Sequence, residues 1–193
     1  MLALGIDPGT AICGYGLVRL ERSRLIPVHY GAVFTDKDML PERRLNKIYE
    51  ELTDLIDRFH PDFMSVEKLF FNRNVTTAIA VGEARGVILL TAARAGIPVY
   101  GYTPIQVKQA ITGTGRANKE QVTYMVQKLL HIEEKPKPDD VADALAIGIT
   151  GLNFIREQEL RERMRLDSLP DGWTILERIS VWWTPRGWAT GSS

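Results

Sequence analysis

The segment from Leu2 to Val18 constrains the fold more than any other part of this 193-residue chain. It begins with LALGID, in which large apolar side chains alternate with Ala and Gly, a pattern typical of a central strand buried on both faces. Pro8 has no N–H for a sheet ladder, so Pro-Gly-Thr predicts a tight turn into a second apolar strand. We therefore expect Asp7 at the exit of a buried strand, where a ligand can reach it. The alternative role for Asp7 is to cap the turn.

The glycines that follow suggest a close approach to this segment. Gly9, Gly14 and Gly16 leave room for a neighbouring backbone or for a phosphate. The residues alone do not distinguish these two partners.

The composition is that of a soluble globular protein, with 45% hydrophobic and 25% charged residues. No apolar run approaches the roughly 20 residues of a membrane span, and no basic signal segment precedes the first strand. Cys13 is the only cysteine, which excludes internal disulfides and thiolate metal clusters. We therefore expect a cytoplasmic protein with no membrane association.

Positive charge is concentrated between Ser65 and Lys119, although the formal net charge of the chain is zero. Scattered charges usually form a solvated surface, but here they are also candidates for phosphate contacts around a site. Two acids lie in this stretch, against seven basic residues: Lys68, Arg73, Arg85, Arg94, Lys108, Arg116 and Lys119.

Periodicity predicts an α/β order of elements after the first two strands. A third strand is expected to complete an antiparallel meander, and helices then alternate with two short apolar strands. The predicted ranges are strands at 27–35, 63–66 and 97–100 and helices at 41–60, 76–95, 104–112, 119–130 and 139–155.

A second acid, Glu67, follows the apolar strand at 63–66. If this strand runs parallel to the first one through a crossover helix, both strands end at the same edge of the sheet. Ligands of open α/β sheets bind at that edge. We therefore expect Asp7 and Glu67 to lie close together.

Three further stretches have sequences that indicate binding or association. Phe70 and Phe71 lie in a predicted loop beside the second acid, where they serve either as core residues or as an exposed stacking platform. The Gly/Thr loop at 112–115 precedes a helix and resembles a generic anion site. The helix at 76–95 is apolar on nearly all sides, which predicts burial in the fold or in a dimer interface.

The sequence DDVAD at 139–143 places two acids on one helical face, because Asp140 and Asp143 are three residues apart. Asp139 is expected to be the N-cap, and Asp140 also suits the helix dipole. Asp143 lies among apolar residues, and burying an unpaired carboxylate is costly. We therefore expect a cation beside Asp143.

Asp7, Glu67, Asp140 and Asp143 are thus candidates to converge from three elements. Clustered carboxylates stay ionised only beside cations, and an all-oxygen site suits Mg²⁺ or Mn²⁺. Two such ions can promote phosphodiester hydrolysis.

The motifs together resemble those of RuvC-type Holliday-junction resolvases, which are members of the ribonuclease-H-like superfamily. The matching segments are GIDPGT at 5–10, VEK at 66–68, QVK at 106–108, GTGRANKEQV at 113–122 and DVADALAI at 140–147. The resemblance spans residues 1 to about 155 and implies a mixed five-stranded sheet flanked by helices.

The resemblance also implies an endonuclease that resolves four-way DNA junctions by symmetric paired nicks in homologous recombination and DNA repair. By position, the four acids match the family's catalytic metal ligands, with two Mg²⁺ ions per site and Mn²⁺ expected to substitute. Lys108 and Lys119 match DNA-contacting lysines, and either Phe70 or the adjacent Phe71 matches an aromatic that engages bases. We add Arg73 and Arg116 from the basic stretch as further DNA contacts.

Implied partners are a second copy of the chain, through helix 76–95, and the branch-migration helicase complex. Two alternatives stay open: a related nuclease acting on RNA–DNA hybrids or flaps, and a non-catalytic junction-binding protein. The second has no need for four converging acids.

The last residues, 156–193, are expected to form a charged extension, either a solvated helix or a disordered segment, followed by a tryptophan-rich tail that the resemblance does not cover. All four tryptophans lie between 173 and 188. A strand over 173–183, docked on the body, on a partner or on DNA, is the interpretation that this composition allows.

Overall fold

The computed structural model describes residues 1–68 and 75–167. It divides into two compact units, Met1–Phe154 and Ile155–Ser193. The first contains a five-stranded sheet with the order β3-β2-β1-β4-β5. The elements in chain order are β1 (Leu2–Asp7), β2 (Ile12–Glu21), β3 (Arg24–Phe34), α1 (Pro41–Phe59), β4 (Phe63–Glu67), α2 (Val75–Arg94), β5 (Val99–Tyr102), α3 (Pro104–Thr112), α4 (Lys119–Leu130) and α5 (Asp139–Asp167).

The sheet is mixed, as the sequence predicted. β1, β2 and β3 form an antiparallel meander. β1, β4 and β5 run parallel to one another. The parallel pairing of β1 with β4 brings the C-terminal ends of these two strands to one edge of the sheet.

One face of the sheet is covered by α1 and α2 through large side chains. Leu4 and Ile6 from β1 pack in one buried cluster with Leu52 of α1 and Ile88 of α2. The opposite face carries the small residues of β1 and β2, and α5 packs against it with its backbone close to the strands.

Several element boundaries differ from the predicted ones. β3 begins three residues before Pro27, because a bulge opposite Leu17 and Val18 accommodates this proline in an edge strand. β5 begins after Pro98 rather than before it. The charged residues after 155 continue α5 to Asp167, which is the helical alternative expected for this stretch, and Arg161 and Glu157 form an i,i+4 ion pair there.

In the described part of the chain, no helix combines the length and the hydropathy that a membrane span needs.

Candidate active site

Asp7 and Glu67 are the last residues of β1 and β4, two adjacent parallel strands. The ladder between them pairs Gly5 with Ser65 and ends at Ile6 and Val66. The two carboxylates therefore lie at neighbouring strand ends on one edge of the sheet, where the sequence predicted them.

α5 brings the other two acids to this edge because its backbone touches the strands. A Cβ atom at Gly14 would overlap the carbonyl oxygen of Asp140, and one at Gly5 would overlap that of Ala144. At Gly16, a Cβ would come within 2.7 Å of the Leu145 side chain. The partner of Gly14 and Gly16 is thus the helix rather than a phosphate. A Cβ at Gly9 would meet the backbone of its own turn, at the Ile12 carbonyl.

Three of the four acids line a cleft of about 280 Å³ that also contains two lysines, whereas Asp140 is not among its lining residues. Asp7, Glu67 and Asp143 form its acidic side, and Lys108 and Lys119 face them. The apolar part of the lining consists of Pro104, Val107, Val122 and Ile147. Acids and cations from five elements thus share one concave surface.

Burial and mutual repulsion raise the pKa values of Asp7, Glu67 and Asp143. Burial, followed by the charges of Asp143, Glu67 and Asp140, raises the pKa of Asp7 to about 8, despite the opposing effect of Lys119. Burial also raises the pKa of Glu67, and the charge of Asp143 adds to the shift. At neutral pH without a bound metal ion, the Asp7 carboxyl is therefore largely protonated.

Lys119 is the cation that we predicted beside Asp143, although the sequence alone did not indicate which residue supplies it. Its Nζ lies 2.9 Å from Asp143 Oδ2 and 3.7 Å from an oxygen of Asp139. Burial raises the pKa of Asp143, and the bond to Lys119 partly offsets that effect. Partial burial lowers the pKa of Lys119, but the hydrogen bond and the nearby acids raise it overall.

Helix caps place these charges. Lys119 is the first residue of α4, and Asn118 forms a reciprocal capping box with Gln121 that defines this helix start. The prediction that Asp139 is the N-cap of α5 was wrong, because Asp139 is the first helical residue. The Val141 N–H bonds the Pro138 carbonyl, so the helical turn begins one residue earlier. Asp139 instead pairs with Lys135 at 2.9 Å.

With this geometry in view, the comparisons with known proteins identify the family. A family model described as crossover junction endodeoxyribonuclease RuvC matches residues 3–151. The chain belongs to the RuvC family. The RuvC protein of Brevibacillus brevis is 56% identical over 154 residues, which cover 80% of this chain and 93% of that protein.

Solved RuvC structures share the fold. The Thermus thermophilus RuvC structure is 38% identical, with a TM-score of 0.77, and the match covers 82% of this chain and 97% of that one. A structure of T. thermophilus RuvC in complex with Holliday junction substrate is 37% identical, with a TM-score of 0.75, and the match covers 81% of this chain and 96% of that one. The ribonuclease-H-like fold expected from the sequence is confirmed.

A divalent cation fits the RuvC-family cleft by its chemistry. The donors are carboxylates whose burial, together with their mutual repulsion, raises the pKa of Asp7 to about 8, and a cation relieves that repulsion. Within residues 1–68 and 75–167, no three of the His, Cys, Asp and Glu side chains are grouped closely enough to hold a metal ion. The fit therefore rests on the chemistry of the donors, which share one cleft, and not on a preformed set of three ligands among the described residues.

The DNA-contact candidates fall into two groups. Lys108 is half-buried in the cleft wall, and Arg116 is exposed in the loop before α4. Phe70, Phe71 and Arg73 lie outside the described residues, so their roles stay predictions.

One residue near the site was missed at the sequence level. Arg85 of α2 donates from Nε to the main-chain carbonyl of Glu67, at 3.2 Å. In the sequence it was one of seven basic residues and carried no separate signal.

Proposed function

We propose that this chain is a crossover junction endodeoxyribonuclease that cuts Holliday junctions during homologous recombination and DNA repair. The observation that carries the proposal is the cleft in which Asp7, Glu67 and Asp143 face Lys108 and Lys119. Its setting, a fold shared with a RuvC protein in complex with Holliday junction substrate, supports the choice of substrate.

Membership of the RuvC family implies that a divalent metal ion is needed, and we propose Mg²⁺, two ions per site, with Mn²⁺ as a substitute. Asp7, Glu67, Asp140 and Asp143 would hold them. When bound, such ions activate a water molecule and stabilise the leaving oxygen of a phosphodiester. The products are a 5′-phosphate and a 3′-hydroxyl.

The two lysines of the cleft bind and orient the DNA backbone. Lys108 and Lys119 attract the phosphate and offset negative charge that develops on it. Lys119 also holds Asp143 in place through their 2.9 Å ion pair. Arg116, Arg73 and one of the two phenylalanines, Phe70 or Phe71, extend the DNA-binding surface.

The first test is cleavage of a labelled four-way junction with Mg²⁺, in parallel with linear duplex and RNA–DNA hybrid. We expect paired nicks on opposite strands of the junction only. Asp7→Asn should reduce cutting to the level of buffer while junction binding is retained, because the variant removes a metal ligand and not a DNA contact. A variant that still cuts would contradict the site assignment.

The other substrates distinguish the alternatives. Cutting of the hybrid instead of the junction would keep the acidic site and assign it to another ribonuclease-H-like nuclease. Binding of the junction with no cutting in either Mg²⁺ or Mn²⁺ would favour a non-catalytic junction-binding protein.

We further propose a homodimer formed through α2, since a twofold dimer presents two sites to two like strands of a junction. Ile79 and Leu90 of α2 are 57% and 55% exposed in the single chain. Ile79→Glu and Leu90→Glu should produce monomers in sedimentation and abolish paired nicking. Leu40→Glu, at a side chain that is 61% exposed outside α2, is the matched control and should leave the dimer intact.

The branch-migration helicase complex is the expected macromolecular partner, and the cytoplasm the expected location. Residues 1–155 are proposed to act as the resolvase domain, with 156–193 as an extension.

A further inference from the structure

The main-chain carbonyl of Glu67 lacks a hydrogen-bond donor that a regular sheet would supply. The Lys68 N–H donates to the Tyr102 carbonyl on β5, so it points away from β1. N–H and C=O groups alternate in direction along a strand, so the carbonyl of Glu67 points toward β1. Its partner is therefore expected on the residue that follows Asp7.

That residue is Pro8, which has no N–H. The register of the parallel ladder agrees, since its last pair is Ile6 with Val66 and Asp7 is not paired with Glu67. The same proline that ends β1 after one acid thus removes the donor for the residue that carries the other acid. A buried carbonyl without a donor is costly.

Arg85 replaces the missing donor from the helix side. Its Nε lies 3.2 Å from the Glu67 carbonyl oxygen in a partly buried setting. Its neighbours Ala84 and Ile88 are fully buried, so the register of α2 against the sheet is defined at this turn. No ion pair involves Arg85 within the described residues, and its Nε donates to the Glu67 carbonyl at the end of β4.

We propose that Arg85 is a positioning residue for Glu67: it anchors the end of β4 in place of the N–H that Pro8 lacks, and so holds the Glu67 carboxylate beside Asp7. A charge-assisted hydrogen bond suits this task, because it is stronger than a bond between neutral groups. Its effect on cutting rests on the proposed function, whereas its effect on the strand end does not.

The test compares Arg85→Met, Arg85→Lys and Arg94→Met. Methionine keeps the length and the helix propensity but removes every donor, and lysine restores one. Arg94 is exposed near the end of the same helix, so Arg94→Met has the same change in charge without the contact. Urea unfolding and sedimentation establish that each variant is folded and assembled like the wild type.

The first readout is hydrogen–deuterium exchange of residues 63–68 in the free protein. Arg85→Met should speed exchange of the Lys68 and Glu67 amides roughly 3- to 10-fold, as expected for the loss of one anchoring bond. Arg94→Met should leave exchange unchanged, and Arg85→Lys should restore much of the protection. Equal exchange in Arg85→Met and Arg94→Met would overturn the proposal.

The second readout is the rate of junction cutting at saturating DNA as Mg²⁺ is varied. Arg85→Met should cut about 10-fold more slowly and need more Mg²⁺, as is typical when a residue that orients a metal ligand is lost. Its junction affinity should match that of Arg94→Met. A defect confined to junction affinity would make Arg85 a DNA contact and overturn the proposal. If the wild type cuts no junction, the proposed function fails, while the exchange experiment still decides whether Arg85 anchors β4.

Discussion

The two faces of the sheet are packed in opposite ways. On the face toward α1 and α2, large side chains interdigitate, among them Leu4, Leu52 and Ile88, all fully buried. On the face toward α5, Gly5 and Gly14 let the helix backbone approach the strands with no side chain between them. The first is an ordinary hydrophobic core, and the second is contact between backbones.

The difference indicates why the site lies on the α5 face. A core of side chains adjusts to substitution through rotamer changes, whereas backbone contacts leave nothing that can rotate away. Asp7 shares the α5 face of β1 with Gly5, and Asp140 lies against Gly14. The acids are therefore carried by the part of the fold with the least freedom to shift.

The largest effect on stability is expected on the side-chain face. Leu52→Ala should lower the free energy of unfolding by about 2–5 kcal/mol, because it leaves a cavity in the core. Urea unfolding in metal-free buffer measures the loss. Junction cutting per folded molecule and its Mg²⁺ dependence should stay those of the wild type. A raised Mg²⁺ requirement would contradict the inference that the α5 face, and not the side-chain face, positions the acids.

Gly14→Ala should impair junction cutting, which Leu52→Ala leaves unchanged, and should lower stability less than Leu52→Ala does. The added Cβ would overlap the backbone of Asp140, so the start of α5 must move. We expect a loss of about 1–3 kcal/mol in stability. Cutting should fall about 10-fold, with a higher Mg²⁺ requirement, because a metal ligand is displaced. Unchanged cutting would show that backbone contact does not position the acids.

The buried carboxyl of Asp7 should lower the stability of the metal-free protein. An acid whose pKa rises from 3.8 to about 8 on folding binds more protons in the folded state between these values, so its contribution to stability falls as the pH rises through that range. Asp7→Asn removes this effect. The melting temperature of the variant in EDTA should therefore exceed that of the wild type by a margin that grows from pH 5 to about pH 8.

Asp54→Asn, at an exposed residue of α1, is the control for this prediction. Its melting temperature should follow that of the wild type across the same pH range. If the melting temperatures of Asp7→Asn and the wild type differ by a constant amount across this pH range, the buried carboxyl does not destabilise the fold as predicted.

The smallest effect is expected for Gly86→Ala on α2. Within one protomer, a Cβ at this position meets no atom within 4 Å. Because Gly86 lies on the face of α2 that carries Ile79 and Leu90, the substitution is made in the monomeric Leu90→Glu variant and compared with that variant alone. Alanine in a helix interior should raise the free energy of unfolding by up to about 1 kcal/mol. Destabilisation in urea unfolding would indicate that the penalty for Gly14→Ala is not specific to the α5 face.

Much of the fold could be predicted because its signals are local. The alternation in LALGID, the three-and-four spacing of apolar residues in α1 and the proline that opens α3 each depend on a few neighbouring residues. The boundary of β3 could not be predicted this way, because a bulge in the neighbouring ladder decides whether Pro27 fits.

By itself, the sequence determined that four acids occur at strand ends and at a helix start, that Asp143 needs a cation, and that the family is RuvC. Only the tertiary structure decided that Lys119 is this cation, that Gly14 and Gly16 make room for the backbone and the Leu145 side chain of α5, and that Arg85 meets the carbonyl of Glu67. The physical reason is that these partners are brought together by sheet pairing and helix packing across dozens of residues. The pattern of residues within a single helix or strand does not indicate such contacts.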